Sequence, residues 1–534
     1  MIKKIKIKGY RKHKSFEFEP NPRFNLIVGS NESGKSTFLE AVVLALTGRV
    51  NGRRASEELN PFWFNSDLVR EFVENRQARG NAAFPEISIE IFLENLPELQ
   101  NLCGAINSDV PTNACPGVAV SIKPNKDYEE ELEKWAANPT EIIPVEYYEV
   151  EWRSFADKVL STRPRQLATA VIDSRTVRST AGIDYHLRQI LSDYLESSER
   201  AEISLTYRNI KASMSDESLK GVNARIGELN AALHHQPISL AMDQSSRASW
   251  EESISPHVSD IPFSMSGQGQ QAAIKISLAM NRSSEYARFV MIEEPENHLS
   301  HTSLTTLISR IESLARDNQQ VFITTHSSFV LNRLGLNSIM LVGDEGAKKI
   351  PELNPGTVGY FKKLPGYDTL RMALAEKVVL VEGPSDEIIF ERVFKDIFGI
   401  RPMEAGVDVI SMRGLSLQRC LELCAALNKP VAAMRDNDGD NPESLREIVC
   451  EWLEPERREL FIGAVENGQT LEPQLISHND EIQLRRILGI QDRADLSTWM
   501  TREKTEGALR IAESEESIIA PDYMERAARF IYAE

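Results

Sequence analysis

The sequence predicts an α/β protein built as two successive units, and three observations predict it. An apolar run, Phe24-Asn-Leu-Ile-Val28, enters the loop Gly29-Ser-Asn-Glu-Ser-Gly-Lys-Ser36 and leaves it in a helix-compatible segment from Thr37 to Ala45. A second apolar run, Phe289-Val-Met-Ile292, ends in the adjacent acids Glu293 and Glu294. A new strand, turn and helix pattern then begins at Lys377-Val-Val-Leu-Val381. Alternating β-like and helical periodicity of this kind places helices on the faces of a largely parallel sheet.

The first loop has the strand, glycine turn and helix start that phosphate binding requires. Glycines such as Gly29 and Gly34 let backbone N–H groups, including that of Asn31, close around a β-phosphate. Lys35 reaches the β- and γ-phosphates, the Ser36 hydroxyl takes Mg²⁺, and Thr37 opens the helix. The expected ligand is therefore ATP with Mg²⁺. Glu293 and Glu294 have the form of a Walker B strand end, with Glu293 orienting the metal ion and Glu294 polarising the attacking water. A solvated strand terminus would also place two acids together, but the order of motifs favours the nucleotide role. The next apolar strand, Val321-Phe-Ile-Thr-Thr325, delivers His326, either an ordinary polar strand end or a γ-phosphate switch.

Between these motifs lies Ser264-Met-Ser-Gly-Gln-Gly-Gln-Gln271, followed by a helical run. With this loop the chain resembles the ABC-type ATPases of chromosome-maintenance and recombination proteins. Ser266, Gly267 and Gly269 match their signature loop, although Gln268 stands in place of its second glycine. The resemblance implies that this loop caps the γ-phosphate held by a second subunit, so a homodimer or higher oligomer is expected. A flexible Gly/Gln turn is the competing reading.

Composition bounds the rest. The 534 residues allow two to four domains. No apolar run reaches membrane length, no leader pattern precedes the strand-like Met1-Ile-Lys-Lys-Ile-Lys-Ile-Lys8, and the expectation is a cytoplasmic protein without a membrane partner. The five cysteines show no metal-binding spacing, and Cys420 and Cys424 are set to share one helix face. The net charge of −18 is concentrated towards the C-terminus: residues 376–534 hold 32 acids against 19 Lys and Arg, a balance of −13. That excess is either solvated surface or part of a carboxylate-rich metal site. Seven basic residues and no acid between Lys3 and Lys14, and an Arg-rich stretch from Arg153 to Arg188, offer local strips for DNA.

The expected organisation follows from the motifs. Residues 1–150 and 241–345 form the ATPase head, 151–240 a helical insertion suited to dimerisation, 346–375 a Gly/Pro/Lys-rich linker, and 376–534 the second α/β unit. In that unit the strand ending at Val381 is followed by Glu382 and, one turn later, Asp386. A later strand, Pro430-Val-Ala-Ala-Met434, ends in Arg435-Asp-Asn-Asp-Gly-Asp440, and Glu472 and Lys504 lie further on. Carboxylates at strand ends suit Mg²⁺ or Mn²⁺, and several are needed where two cations bridge one phosphodiester.

The ordered set Glu382, Asp436, Asp438 resembles a Toprim domain, the Rossmann-like metal-dependent fold of topoisomerases, DnaG-type primases and certain nucleases. An ABC head joined to a C-terminal Toprim domain is similar to the OLD (overcoming-lysogenization-defect) nucleases. In that family Glu472 and Lys504 match a downstream acid and lysine, and Asp386 stands where a second acid follows Glu-Gly. Arg435 and Asp440 depart from the pattern. The resemblance implies an ATP-binding, metal-dependent DNA endonuclease of anti-phage defence. It implies action alone, with a UvrD-like helicase as in Gabija systems, or with a retron reverse transcriptase and its RNA–DNA hybrid. The alternative is an ABC-type repair or recombination ATPase whose Toprim-like region only binds partners. A topoisomerase or primase is disfavoured, because the tail after Lys504 leaves no room for their further domains.

Overall fold

A computed structural model describes residues 1–30, 32–50, 52–79, 82–173, 195–230, 239–245, 250, 257–281, 288–297, 299–315, 319–343, 346–349, 353–363, 369–491 and 494–533. The chain divides into two compact units. One comprises Met1–Ile27, Glu32–Thr325 and Val342–Ala347; the other comprises Val28–Asn31, His326–Leu341 and Lys348–Glu534.

The first unit contains an antiparallel sheet and a parallel one. The alternating N-terminal segment forms Ile2–Tyr10, which pairs with His13–Phe18 on one side and Ile87–Leu93 on the other. Cys115–Pro124 and Tyr148–Ser154 extend the same sheet. In the parallel sheet Thr169–Asp173, Phe289–Glu293, Gln320–Thr324 and Phe24–Val28 lie side by side. Phe24–Val28 and Gln320–Thr324 are buried at every position, which is why they read as unbroken runs with little alternation. Parallel pairing brings the C-terminal ends of all four strands to one edge, the edge at which ligands bind in such sheets.

Two sequence expectations fail here. Helices do occupy Ser197–Ser213 and Lys220–Asn230 within the span expected to be a helical insertion. Its first part, however, is sheet: Tyr148–Ser154 runs into it, and Thr169–Asp173 pairs in register with the Glu293 strand. Thr169-Ala-Val-Ile is a short β-competent run, and its strand character comes from that neighbour, a tertiary contact invisible to local pattern. The run from Tyr185 to Leu195 falls almost entirely outside the described residues. The expected linker is also not a plain connector. It carries the helices Pro355–Lys363 and Thr369–Leu374, with Thr357 and Phe361 fully buried and Thr369 Oγ1 2.6 Å from Asn332 Oδ1.

The basic N-terminal strip is likewise altered by folding. Lys3, Lys4, Lys6, Arg11 and Lys14 all meet carboxylates, those of Glu94, Asp109, Asp109, Glu40 and Glu71 respectively. Only Lys8 and Lys12 of the seven lack an ion-pair partner among the described residues, so this strip is a poor DNA surface. Arg153 is also paired, with Glu151 and Asp157.

The second unit is a four-stranded parallel sheet ordered Val407–Ser411, Lys377–Val381, Val431–Arg435, Arg458–Ile462. Lys377–Val381 and Val431–Arg435 are the central strands, and their buried Val, Leu, Ala and Met side chains belong to this unit's core. Helices Pro384–Phe398, Lys504–Glu513 and Asp522–Tyr532 supply Phe390, Phe394, Ile511 and Met524 to the apolar cluster against them. Cys420 and Cys424 are buried together on the helix Leu417–Ala426, one face as expected. Among the described residues no helix is long and apolar enough to cross a membrane.

Candidate active sites at two sheet edges

The phosphate loop is shaped as a nucleotide cradle. Gly34 has φ +96° and caps the helix Lys35–Thr47. A Cβ there would meet His13 Cε1 at 2.8 Å, so glycine is required for space as well as backbone sign. His13 Nε2 lies 3.1 Å from the Gly34 carbonyl oxygen. Burial pushes the His13 pKa down to about 4 against the opposing effect of that bond, which makes the ring a neutral buttress of the loop at pH 7. Lys35 is buried at the helix start, and the buried Ser33 Oγ has no hydrogen-bond partner. An unpaired hydroxyl and a buried ammonium at a helix N-terminus fit a polyphosphate. Asn31 lies outside the described residues.

At the neighbouring strand end, Glu294 adopts φ +45°, a conformation a non-glycine residue keeps only where its surroundings enforce it. They do: its N–H donates to the Thr324 carbonyl at 3.0 Å, and Asn297 Nδ2 donates to its Oε2 at 2.8 Å. Thr325 Oγ1 donates to Glu296 Oε1 at 2.9 Å, tying the following strand end to the same acidic turn. Thr325 N–H in turn donates to the Ile27 carbonyl at 3.2 Å, at the end of the strand that enters the phosphate loop. Neither Asn297 nor Thr325 was singled out in the sequence, although Asn297 sits three residues after Glu294, at the other end of a tight turn. His326 follows the strand and is exposed. Ser266 and Gly267 precede the helix Gln268–Asn281, where Gln271 Nε2 donates to the Ser266 carbonyl at 2.8 Å. A Cβ on Gly267 would meet nothing within 4 Å, so packing within this chain does not demand glycine there.

In the second unit, parallel pairing carries Glu382 and Asp436 to the ends of adjacent strands, where the Asp436 N–H donates to Glu382 Oε1 at 3.3 Å. Asp386 Oδ2 accepts the Gly383 N–H at 3.0 Å, so it also caps the helix Pro384–Phe398. Asn437, fully buried, donates to the carbonyls of Gly463 (3.1 Å) and Gly468 (2.8 Å) and so fixes the loop between Asp436 and Asp438. Asp438 takes φ +49° and donates its N–H to the Gln469 carbonyl at 3.2 Å. Glu472 is buried, accepts from Thr470 Oγ1 at 2.8 Å, and has Lys504 Nζ 3.4 Å from Oε2.

These acids feel one another. Burial first, then Asp386, Glu382, Glu472 and Asp438, pushes Asp436 up to about 8. Burial also pushes Asp386 up to about 6, opposed by the Gly383 amide, and raises Glu382, with Asp386 and Asp438 adding to that shift. Carboxylates gathered against their own repulsion make an all-oxygen donor set whose charge a hard divalent cation would relieve. The set is in electrostatic range without being closed: among the described residues no three acid, His or Cys side chains converge as a ready ligand cage. Arg435 Nε stands 3.8 Å from Glu382 Oε1, so the departure noted in the sequence places a cation at the edge of the cluster.

Residues 374–438 match the family described as overcoming lysogenization defect protein-like, TOPRIM domain. Residues 4–96 and 181–331 match an AAA domain and an AAA ATPase domain. The chain therefore carries an OLD-like TOPRIM domain together with AAA ATPase domains. An ABC-type ATPase head is joined in it to a Toprim domain, a pairing that implies nucleotide and divalent-metal use and an ATP-dependent, nuclease-like protein. Among curated proteins, this chain is 25% identical over 364 residues to the DNA replication and repair protein RecF of Geobacter sp. (strain M21), covering 61% of this chain and 92% of that one. Among solved structures, the C-terminal region of the Xanthomonas campestris pv. campestris OLD protein is 19% identical, over 30% of this chain and 92% of that one, with a TM-score of 0.23. The recombination mediator protein RecF is 12% identical over 66% of this chain and 98% of that one, with a TM-score of 0.32.

One neighbour of the Toprim-domain acids left no trace in the sequence. Tyr523, on the helix Asp522–Tyr532, is buried with its hydroxyl unpartnered. Burial, then Asp436, Asp386, Glu382 and Glu472, hold its pKa well above the ordinary value, so it remains a phenol that can donate towards the cluster. No local spacing links position 523 to an acid some 90 to 140 positions away (523 − 436 = 87; 523 − 382 = 141).

Proposed function

We propose that this protein is an OLD-family, ATP-regulated, divalent-metal-dependent DNA endonuclease of anti-phage defence. The observation that carries the proposal is the gathering of Glu382, Asp386, Asp436 and Glu472 into one mutually repelling carboxylate set, with Asp438 and Lys504 at its rim. Such a set is costly to maintain and has little structural purpose by itself.

Glu382, Asp386, Asp436, Asp438 and Glu472 are the residues that would hold Mg²⁺ or Mn²⁺. Bound cations supply charge neutralisation of the scissile phosphate and an activated water. Lys504, exposed and beside Glu472, is placed to offer positive charge to the transition state. In the head, Gly29, Asn31, Gly34, Lys35, Ser36 and Thr37 take the ATP phosphates. Ser36 and Glu293 serve its Mg²⁺, Glu294 accepts the proton of the attacking water, and His326 reads the γ-phosphate. Ser266, Gly267 and Gly269 of a second copy complete the site, so the working form is a homodimer or a larger assembly. The matched RecF relative is named for DNA replication and repair, which supports DNA as the polymer. A UvrD-like helicase, or a retron reverse transcriptase with its RNA–DNA hybrid, is the class of partner proposed, in the cytoplasm.

The same RecF similarity, spanning 92% of that protein's length, favours one second reading: a repair ATPase whose Toprim domain binds partners without cutting. Incubation of the full-length protein with supercoiled plasmid and Mg²⁺ or Mn²⁺ separates the two. Nicked or linear product that EDTA suppresses supports the endonuclease, and intact plasmid with any candidate partner present supports the repair ATPase.

A further inference from the structure

A cleft of about 390 Å³ opens directly beside the acid cluster, and Glu382 and Arg435 belong to its wall. The remaining wall mixes aliphatic and polar groups: Met412, Leu415 and Leu417, with Gly414, Ser416 and Gln418 among them, come from the segment after the strand Val407–Ser411, and Ile448 and Val449 close the other side. Met412, Leu415 and Val449 are buried, whereas Ile448 is 57% exposed at the surface. Arg413 stands between the lining residues Met412 and Gly414 in a left-handed conformation, φ +47°, and its N–H donates to the Glu382 carbonyl at 3.0 Å. Its exposed guanidinium has no carboxylate partner among the described residues.

The cleft therefore joins three chemistries at one place: the acid-bearing strand end, cationic groups for a phosphate, and a slot with aliphatic side chains on two sides. Pockets with apolar walls and a few convergent polar groups bind compact ligands of mixed character. A stacked base pair could not use such a slot, because its faces are already covered by its neighbours. A base turned out of the stack exposes those faces while its phosphate stays on the backbone path. Backbone strain held at Arg413, next to Glu382, is the kind of feature that persists where surroundings enforce a binding geometry.

Resting on the endonuclease reading, we propose that this cleft receives one unstacked nucleotide beside the scissile phosphate. Its base lies against Leu415 and Ile448 and its phosphate on Arg435 and Arg413. The protein then prefers DNA with an unpaired nucleotide, such as a bulge, gap or single-stranded stretch, over continuous duplex.

The test uses full-length protein and a short fluorescein-labelled duplex, either continuous or carrying a single bulged nucleotide. Binding is followed by anisotropy in Ca²⁺ and cutting in Mg²⁺. The bulged duplex is expected to bind about tenfold more tightly than the continuous one. Leu415→Trp fills the slot, and Ile448→Glu puts a charge on its exposed edge without disturbing the core. Each is expected to abolish the preference while keeping continuous-duplex affinity within about twofold. Equal affinity for both duplexes, or a preference that survives both substitutions, overturns the inference and leaves the slot to a protein side chain. Cutting without a binding preference would sink the inference alone, and a binding preference without cutting, candidate partners present, would sink the nuclease reading and leave the cleft as a binding site for an unpaired nucleotide.

Discussion

The backbone N–H of Asp436 donates to the Glu382 carboxylate across two adjacent parallel strands. Lys377–Val381 and Val431–Arg435 are held in register by their ladder, so the residues that follow them emerge side by side at one sheet edge. The bond fixes one Glu382 oxygen, while the Asp436 side chain meets the charge of the other acids. Sheet topology therefore brings together two acids separated by more than fifty residues of sequence (436 − 382 = 54).

Burial of these acids, reinforced by their mutual repulsion, has a pH signature. Asp436 is pushed up to about 8 and Asp386 to about 6, both above the usual carboxylate range. A carboxyl whose folded pKa is raised binds its proton more tightly when folded. The associated stability is fully present below about pH 4 and is lost as pH rises towards about 8. In EDTA at about pH 9, Asp436→Asn should therefore melt at least about 3 °C above wild type, and the two should coincide near pH 4. Mg²⁺ or Mn²⁺ should raise the wild-type Tm more than that of the variant. Coincident melting at the higher pH would refute the electrostatic reading of the cluster.

Lys504 is the cation nearest the buried Glu472 carboxylate, at 3.4 Å. Lys504→Ala should slow plasmid cutting by about 10²-fold while divalent-cation affinity stays within a few-fold. Isothermal titration with Mn²⁺ alongside the cutting assay checks this. An unchanged rate would remove Lys504 from the reaction.

In the head, Glu294→Gln should preserve ATP binding and slow hydrolysis by about 10²-fold or more, since a proton-accepting oxygen is lost. Asn297→Ala should cost less, about tenfold, because it only releases the hydrogen bond that orients Glu294. Lys35→Ala should instead weaken nucleotide binding. Stopped-flow binding with a fluorescent ATP analogue and phosphate release distinguish the three, and wild-type hydrolysis by the Gln variant would displace Glu294 from the role of base.

Gly267 has open space where a Cβ would stand, so any need for glycine there comes from outside the chain. Gly267→Val should leave the Tm unchanged and abolish ATP-dependent dimerisation of the Glu294→Gln protein in light scattering. A dimer that forms undiminished would place the partner's nucleotide elsewhere.

Local chemistry made much of this legible. The phosphate loop announces itself because Gly34, Lys35 and Ser36 act through contiguous backbone, and the strands Phe24–Val28 and Lys377–Val381 because both faces are buried. Thr169–Asp173 was missed because its strand character is supplied by the Glu293 strand beside it. The basic N-terminal strip misled because Asp109, Glu40 and Glu71, which neutralise it, are remote in sequence. Tyr523 and the supports Asn437 and Gln469 stayed hidden for the same reason: their importance is a matter of position around the acids.

Cleavage of supercoiled plasmid by Glu382→Ala, Asp436→Ala and Asp438→Ala proteins, with ATP hydrolysis followed in the same samples, bears most directly on the central claim. Each substitution removes a carboxylate from the metal-binding set and leaves the phosphate loop and the Glu293–Glu294 turn untouched. The wild type should cut in Mg²⁺ or Mn²⁺ and not in EDTA, and all three variants should fail to cut while hydrolysing ATP at the wild-type rate. Cutting by the Glu382 and Asp436 variants at the wild-type rate, with contaminating nuclease excluded, would contradict that claim.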